Sequence, residues 1–269
     1  MKVLVAGGRG FIGTATVRAL SAAGHDPGIL EAGDGVNFVN FGGWDALVWA
    51  AGGRRATLDE NRAEHVDAPG AVLAAMAATR VPSRLVYLSS GEAYGAQEVP
   101  FAEDAPLLGT SPYALAKIEG ERTLAATCAA RGVELTVLRP SVVFGPAQRG
   151  PMFLPSLLSA LDAGERFAMT AGEQTRDMIH VDDVAAAIVA ALGGPPGTYN
   201  VSTGVELTLR DLAIAIATRR NAVHLLDIGA LPYRGNEQMR YVLDPSRAMA
   251  SLGWRPSRRS AAEFTGDSW

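Results

Sequence analysis

The segment Val3-Leu4-Val5-Ala6-Gly7-Gly8-Arg9-Gly10-Phe11-Ile12-Gly13 constrains this chain more than any other. An apolar run of strand length passes directly into glycines at positions 7, 10 and 13, and a helical apolar pattern continues from Gly13 to Ala23. Strand, glycine turn and helix in that order predict a unit whose turn can receive a pyrophosphate. Gly7 makes the tight turn, and Gly10 lets backbone N–H groups approach the phosphates. Gly13 allows close packing of helix on strand, Phe11 and Ile12 belong to the same cofactor-binding turn, and the helix N-terminus attracts the phosphate charge.

Glu31 ends a weaker strand, Gly28–Leu30, about twenty residues further on. A carboxylate there accepts hydrogen bonds from the adenosine ribose and repels a 2′-phosphate. No Lys or Arg lies between Ala32 and Val36, and Asp34 adds negative charge, so NAD is favoured over NADP.

The rest of the first half alternates strand and helix patterns. Strands are predicted at Ala46–Ala50, Arg84–Leu88 and Leu135–Leu138, with helices at Ala63–Thr79 and Pro112–Arg131. This is the pattern of βαβ units, hence an α/β, Rossmann-type doubly wound parallel sheet. About fourteen residues separate the second strand from the ALVWA strand, too few for a helix and a further strand, so that sheet edge should be trimmed. Past about residue 145 glycine and proline become denser (Gly145, Pro146, Gly150, Pro151, Pro155) and the alternation weakens. A helix is predicted at Asp182–Leu192, a strand at Thr198–Val201 and a helix at Asp211–Ala217. The expected organisation is a dinucleotide-binding domain over 1–149 and a small substrate lobe over 150–269, with about 179–203 returning to the sheet.

Tyr113 and Lys117 are four residues apart in a helical pattern, so both project from one face. Bringing a phenol to neutrality means lowering its pKa by ~3 units, or ~4 kcal/mol. An ammonium ~4 Å away at an effective dielectric of ~20 supplies about that much. The pair can therefore form a general acid–base, with Ser90, at the end of the RLVYLSS strand, donating to the substrate oxygen.

GGRGFIG, LVWAAG, LVYLSSGEAYG, YALAK, LRPSVVFGP and RDMIHVDDVAAA together resemble the extended short-chain dehydrogenases of the nucleotide-sugar epimerase/dehydratase type, in order along nearly the whole chain. The resemblance implies Tyr113 as base, Lys117 as its partner and ribose ligand, and Ser90, rather than Ser89, as hydroxyl donor. It sets Ala50 and Ala51 beside the adenosine, and Pro140 and Val143 near the nicotinamide. It implies Arg176, and a second arginine at Arg234, as grips for a nucleotide diphosphate, which two guanidiniums can bind bidentately. Glu92 matches the glutamate of dehydratases and decarboxylases, where a carboxylate could take a proton beside a ketone. Gly91 stands where 4,6-dehydratases carry Asp; Val142 and Phe144 replace a usual Asn and Tyr, and the C-terminal region is short. A homodimer through the helices at 63–79 and 112–131 is a further expectation from the family.

Three functions follow: a nucleotide-sugar epimerase or dehydratase working by transient hydride transfer, an NAD(P)H-dependent reductase or dehydrogenase of a small carbonyl or hydroxyl compound, or a cofactor-binding scaffold without catalysis. Intact Ser90, Tyr113 and Lys117 argue against the last. The net charge of −4 over 269 residues gives no reason to expect a nucleic-acid partner. No apolar run reaches membrane-spanning length and no signal peptide precedes the first strand, so a cytoplasmic protein without a membrane partner is expected. Cys128, the only cysteine, sits in an alanine-rich helix and reads as a small buried residue. His25, His65 and His224 lack ligand spacing and His180 reads as structural, so no metal site is expected.

Overall fold

The structure is a computed structural model; it describes residues 1–31, 43–77, 82–98, 100–235 and 237–257. Asp34 and the end of the helix expected to reach Thr79 lie outside the described residues.

Strand β1 (Lys2–Ala6) leads through the glycine turn into α1 (Phe11–Ala22), then β2 (Asp26–Leu30), β3 (Ala46–Trp49), α2 (Leu58–Arg62), α3 (Ala68–Ala77), β4 (Arg84–Leu88), α4 (Pro112–Arg131) and β5 (Glu134–Pro140). The second half adds β6 (Val142–Phe144), α5 (Phe153–Asp162), β7 (Phe167–Met169), β8 (Thr175–Arg176), β9 (Met178–His180), α6 (Val181–Gly193) and β10 (Gly197–Val201). It closes with β11 (Leu207–Thr208), α7 (Leu209–Arg219), β12 (Leu226–Ile228), β13 (Arg240–Tyr241) and α8 (Ser246–Ser251). Six strands form one parallel sheet in the order β10-β5-β4-β3-β1-β2, with β2 at the edge. The order reverses at β1, so the strand ends on either side of that point open the crevice in which such sheets bind ligands.

Each face of the sheet has its own apolar layer. α1 and α6 cover one, where Leu20, Val184 and Ile188 meet Val3, Val5 and Val86. α3 and α4 cover the other, where Leu73, Met76 and Leu124 meet Leu4, Leu47 and Leu85. Both faces are dry, which is why the strands read as continuous apolar runs rather than alternating ones. A separate cluster, built from Leu154, Leu157, Leu212 and Ile216, holds α5 and α7 against the short strands of the second half.

The expected elements differ from the observed ones mainly at helix starts. The helix expected from Ala63 begins at Leu58, because Thr57 and Glu60 form a reciprocal capping box. It then widens into a π turn over Ala63–Asp67 before continuing as α3. α4 begins where expected: Ser111 caps the Ala114 N–H and Pro112 sits at the first helical position. The short strands β6–β9 and β11–β13, two or three residues each, are too short to show a period, and helices α5 and α8 add to the expected ones.

Two glycines of the turn have no substitute. Gly7 has φ +76°, and a Cβ there would lie 2.6 Å from Ala51 Cα. A Cβ at Gly13 would lie 1.9 Å from the Gly7 carbonyl oxygen, so α1 approaches the turn more closely than any side chain permits. Gly13→Ala should therefore destabilise the fold by about 1–3 kcal/mol, read as a lower urea midpoint. An unchanged midpoint would show that the turn can give way.

Candidate active site

The carboxyl ends of the sheet strands border a cleft with two connected parts, which share Phe11, Ile12, Ala50, Ala51 and Gly52. The first part, about 610 Å³, runs over the glycine turn, with Gly7 and Gly10 on its floor and Glu31 at its rim. Glu31 Oε1 accepts a hydrogen bond from the Arg9 N–H at 2.8 Å, which holds the carboxylate against the turn. Gly13 lies behind the turn and shapes it without lining the cleft.

The second part, about 470 Å³, is lined by Ser90, Glu92, Tyr113, Lys117, Pro140 and Val143, and Arg176 reaches its far end. Ser90 stands at the end of β4 and caps the short 3₁₀ turn Gly91–Tyr94, accepting from the Glu92 N–H at 3.2 Å. Its hydroxyl is near enough to Tyr113 to favour the phenolate. The neighbouring Ser89 turns inward and donates to buried Glu121 at 2.5 Å, which separates the two serines.

The Tyr113–Lys117 pair differs from the sequence expectation. Lys117 Nζ donates to the Leu88 carbonyl at 2.7 Å and lies 5.6 Å from the Tyr113 ring centroid. Burial brings Lys117 down to about 7. Burial, reinforced by the Glu92 charge, pushes Tyr113 up to about 12, against the Arg54 charge and the Ser90 hydrogen bond. The expectation weighed only the attraction between phenolate and ammonium. Removing both groups from water disfavours both charged forms, and here that effect is the larger.

Arg234 stands apart from the cleft in this structure. Its side chain is exposed and does not line the cleft; its carbonyl accepts from the Glu237 N–H at 3.0 Å. Gln238 and, from β13, Tyr241 line the cleft instead. Arg176 does reach the cleft, donating to Glu237 at 2.6 Å and to the Thr175 and Gln238 carbonyls at 2.8 Å each.

Sequence reasoning missed Arg54 and Tyr241. Arg54 follows Gly52 and Gly53 beyond β3 and pairs with both oxygens of Glu92, Nη1 to Oε1 at 2.9 Å; its Cζ lies 4.9 Å from the Tyr113 ring centroid. A guanidine so close behind the glycines that end a sheet strand was the available signal. Tyr241 is buried on β13, far along the chain from Ser90 and Tyr113, and its position gave no signal.

The comparisons agree with this geometry. Residues 3–202 match the model of the NAD dependent epimerase/dehydratase family. A UDP-glucose 4-epimerase of Mycolicibacterium smegmatis is 33% identical over 95% of this chain and 94% of its own length. A dTDP-glucose 4,6-dehydratase of Streptomyces griseus is 27% identical over 95% and 89%. Among solved structures, the Thermus thermophilus UDP-glucose 4-epimerase complex with NAD superposes with a TM-score of 0.82 at 25% identity, covering 98% of this chain and 97% of that one. MoeE5 in complex with UDP-glucuronic acid and NAD gives 0.86 at 23% identity over 98% and 97%, a likeness of fold. The chain belongs to the NAD dependent epimerase/dehydratase family and is an enzyme of the extended short-chain dehydrogenase/reductase class with NAD as cofactor. The glycine turn, which no side chain could fill, and Glu31 at its rim fit that dinucleotide. No helix among the described residues is long and apolar enough to cross a membrane.

Beneath the site, His65 lies on the π turn, fully buried and edge-on to Tyr113 at 5.3 Å. Its Nε2 bonds the Gly53 carbonyl at 2.9 Å. Burial, and then the Lys117 charge, bring its pKa down to about 4. Between about pH 6.5 and 4 the unfolded chain takes up a proton that the native protein refuses. Stability is therefore full above 6.5 and falls as pH drops through that window, by about 3 kcal/mol in all. Urea midpoints across this range should show the loss, and His65→Asn should remove most of its slope; parallel curves would contradict the assignment.

Proposed function

We propose that this protein is a nucleotide-sugar epimerase: it oxidises one ring carbon of the sugar and reduces it again from the other face, without eliminating water. The observation that carries this reading is at Gly91 and Glu92. Where the dehydratases of the family have Asp, this chain has Gly91, and the Tyr241 hydroxyl lies 2.4 Å from where a Cβ would be. The space for an acid that could protonate a leaving hydroxyl is thus already filled. Glu92, the candidate for proton removal beside the ketone, is held by Arg54 and by the Ser111 hydroxyl at 2.6 Å. Elimination therefore lacks a free acid and a free base.

In the assigned roles, Tyr113 takes the proton from the sugar hydroxyl and returns it, while Ser90 holds the same oxygen through its hydroxyl. Lys117, anchored on Leu88, keeps a proton beside the phenol, and Glu31 takes the adenosine ribose. Bound NAD supplies the hydride acceptor and a positive ring charge beside Tyr113. Arg176 serves the diphosphate from the far end of the cleft. The substrate lobe spans 150–269 except for α6 and β10, which belong with the sheet. The alanine-rich faces of α3 and α4 suit a homodimer, and the cytoplasm supplies both NAD and nucleotide sugars. Sedimentation at micromolar concentration should give twice the chain mass; a single mass would refute the dimer.

The purified protein should interconvert UDP-glucose and UDP-galactose with no added NADH. Tyr113→Phe should lower kcat by about 10²–10⁴-fold while retaining bound NAD. Stoichiometric NADH consumption, or a product lighter by one water, would overturn the epimerase reading.

A further inference from the structure

Arg54 is placed by the turn that ends β3. Gly52 has φ +93°, and a Cβ there would lie 2.4 Å from His65 Cε1, so the chain passes closely over that ring. The next residue is pinned on both sides: the Gly53 N–H donates to Glu64 at 2.9 Å and its carbonyl bonds His65 at 2.9 Å. The guanidinium that follows spans from the face of Tyr113 to Glu92. Ser111, which bonds the same Glu92 oxygen, is the cap of α4, the helix that carries Tyr113. Both Glu92 oxygens are thus engaged by groups fixed relative to Tyr113.

We propose that Arg54 is a positioning residue that decides the reaction's outcome: it keeps Glu92 paired, so that Tyr113 is the only acid–base group acting on the oxidised sugar. This rests on the epimerase reading. A sugar ketone has an acidified C–H on each neighbouring carbon. An unpaired carboxylate there would take that proton, leaving the electron pair as an enolate, and the same carboxylic acid would return a proton to the carbon. The step is redox-neutral and reversible, and its signature is exchange with solvent. By holding Glu92, Arg54 suppresses this exchange and the stereochemical scrambling that comes with it. Its position over the phenol face also places a positive charge where Tyr113 becomes a phenolate.

The experiment compares the native enzyme, Arg54→Met, Arg54→Lys and Arg54→Met/Glu92→Gln, all incubated with UDP-glucose in D₂O and read by mass spectrometry and NMR. The native enzyme should interconvert the two sugars without deuterium at neighbouring carbons. Arg54→Met should incorporate deuterium there, and the double variant should lose the incorporation. A substrate-free arm uses carbodiimide with an amine and reads Glu92 labelling by peptide mass spectrometry. Labelling should rise about fivefold in Arg54→Met, as for loss of an exposed bidentate pair, and less in Arg54→Lys. Equal labelling of Glu92 in native and Arg54→Met protein overturns the proposal, as does epimerisation by Arg54→Met without exchange, or exchange that survives in the double variant. If the native enzyme converts no UDP-glucose, the epimerase reading falls, and the labelling arm alone decides whether Arg54 sequesters Glu92.

Discussion

A buried ion pair between Arg139 on β5 and Glu121 on α4 ties the helix that carries Tyr113 and Lys117 to the sheet. Arg139 reaches Glu121 through Nε at 2.9 Å and Nη2 at 2.5 Å, and its Nη1 donates to the Tyr94 hydroxyl and the Glu103 carbonyl. Ser89 donates to the same Glu121, and Tyr94 donates to Asn200 on β10 at 2.7 Å. One network therefore joins β4, β5, β10, α4 and the 3₁₀ turn that presents Glu92. A buried pair of this kind adds little net stability, but losing either partner costs about 3–5 kcal/mol because the other is left uncompensated. Its effect is positional: it sets one turn of α4, with Lys117 just ahead of Glu121, at the mouth of β4.

The same burial governs the site's protonation. Lys117 is brought down to about 7 although Glu121 and Glu64 favour its charge, and Tyr113 is pushed up to about 12 although Arg54 and Ser90 favour the phenolate. The site therefore sets a phenol that favours its neutral form beside an ammonium that gives up its proton easily. Such a site is poised to respond to added positive charge beside the phenol.

The fold and the polar core of the site were legible because they rest on local spacing. Gly7, Gly10 and Gly13 declare the turn, and Tyr113 and Lys117 share a face through helix periodicity alone. Ser90 follows from its place at a strand end. What could not be read comes from non-local packing. Tyr241 meets Gly91 only because β13 pairs with β8, which delivers the residue across the cleft. Arg234 and Tyr241 lie seven residues apart, and spacing could not tell which of them reaches the cleft. The expected sign of the Tyr113 shift failed for a related reason: a sequence shows that a lysine is near, but not how much water both groups lose.

The second half of the chain shows how such a site is specialised without altering its core. β8, β11 and β13 form a small sheet whose strands are two residues long and hold little apolar area. Ion pairs join them as well, Arg240 with Glu206 and Arg176 with Glu237. Those contacts place Arg176, Gln238 and Tyr241 opposite Tyr113 while the sheet beneath keeps the cofactor geometry. The lobe thus adds residues to a cleft whose floor belongs to the sheet, and the size of each residue on one side limits what the other side can hold. Gly91 facing Tyr241 shows this: the Tyr241 hydroxyl, which burial keeps protonated, fills the space that a side chain at position 91 would take.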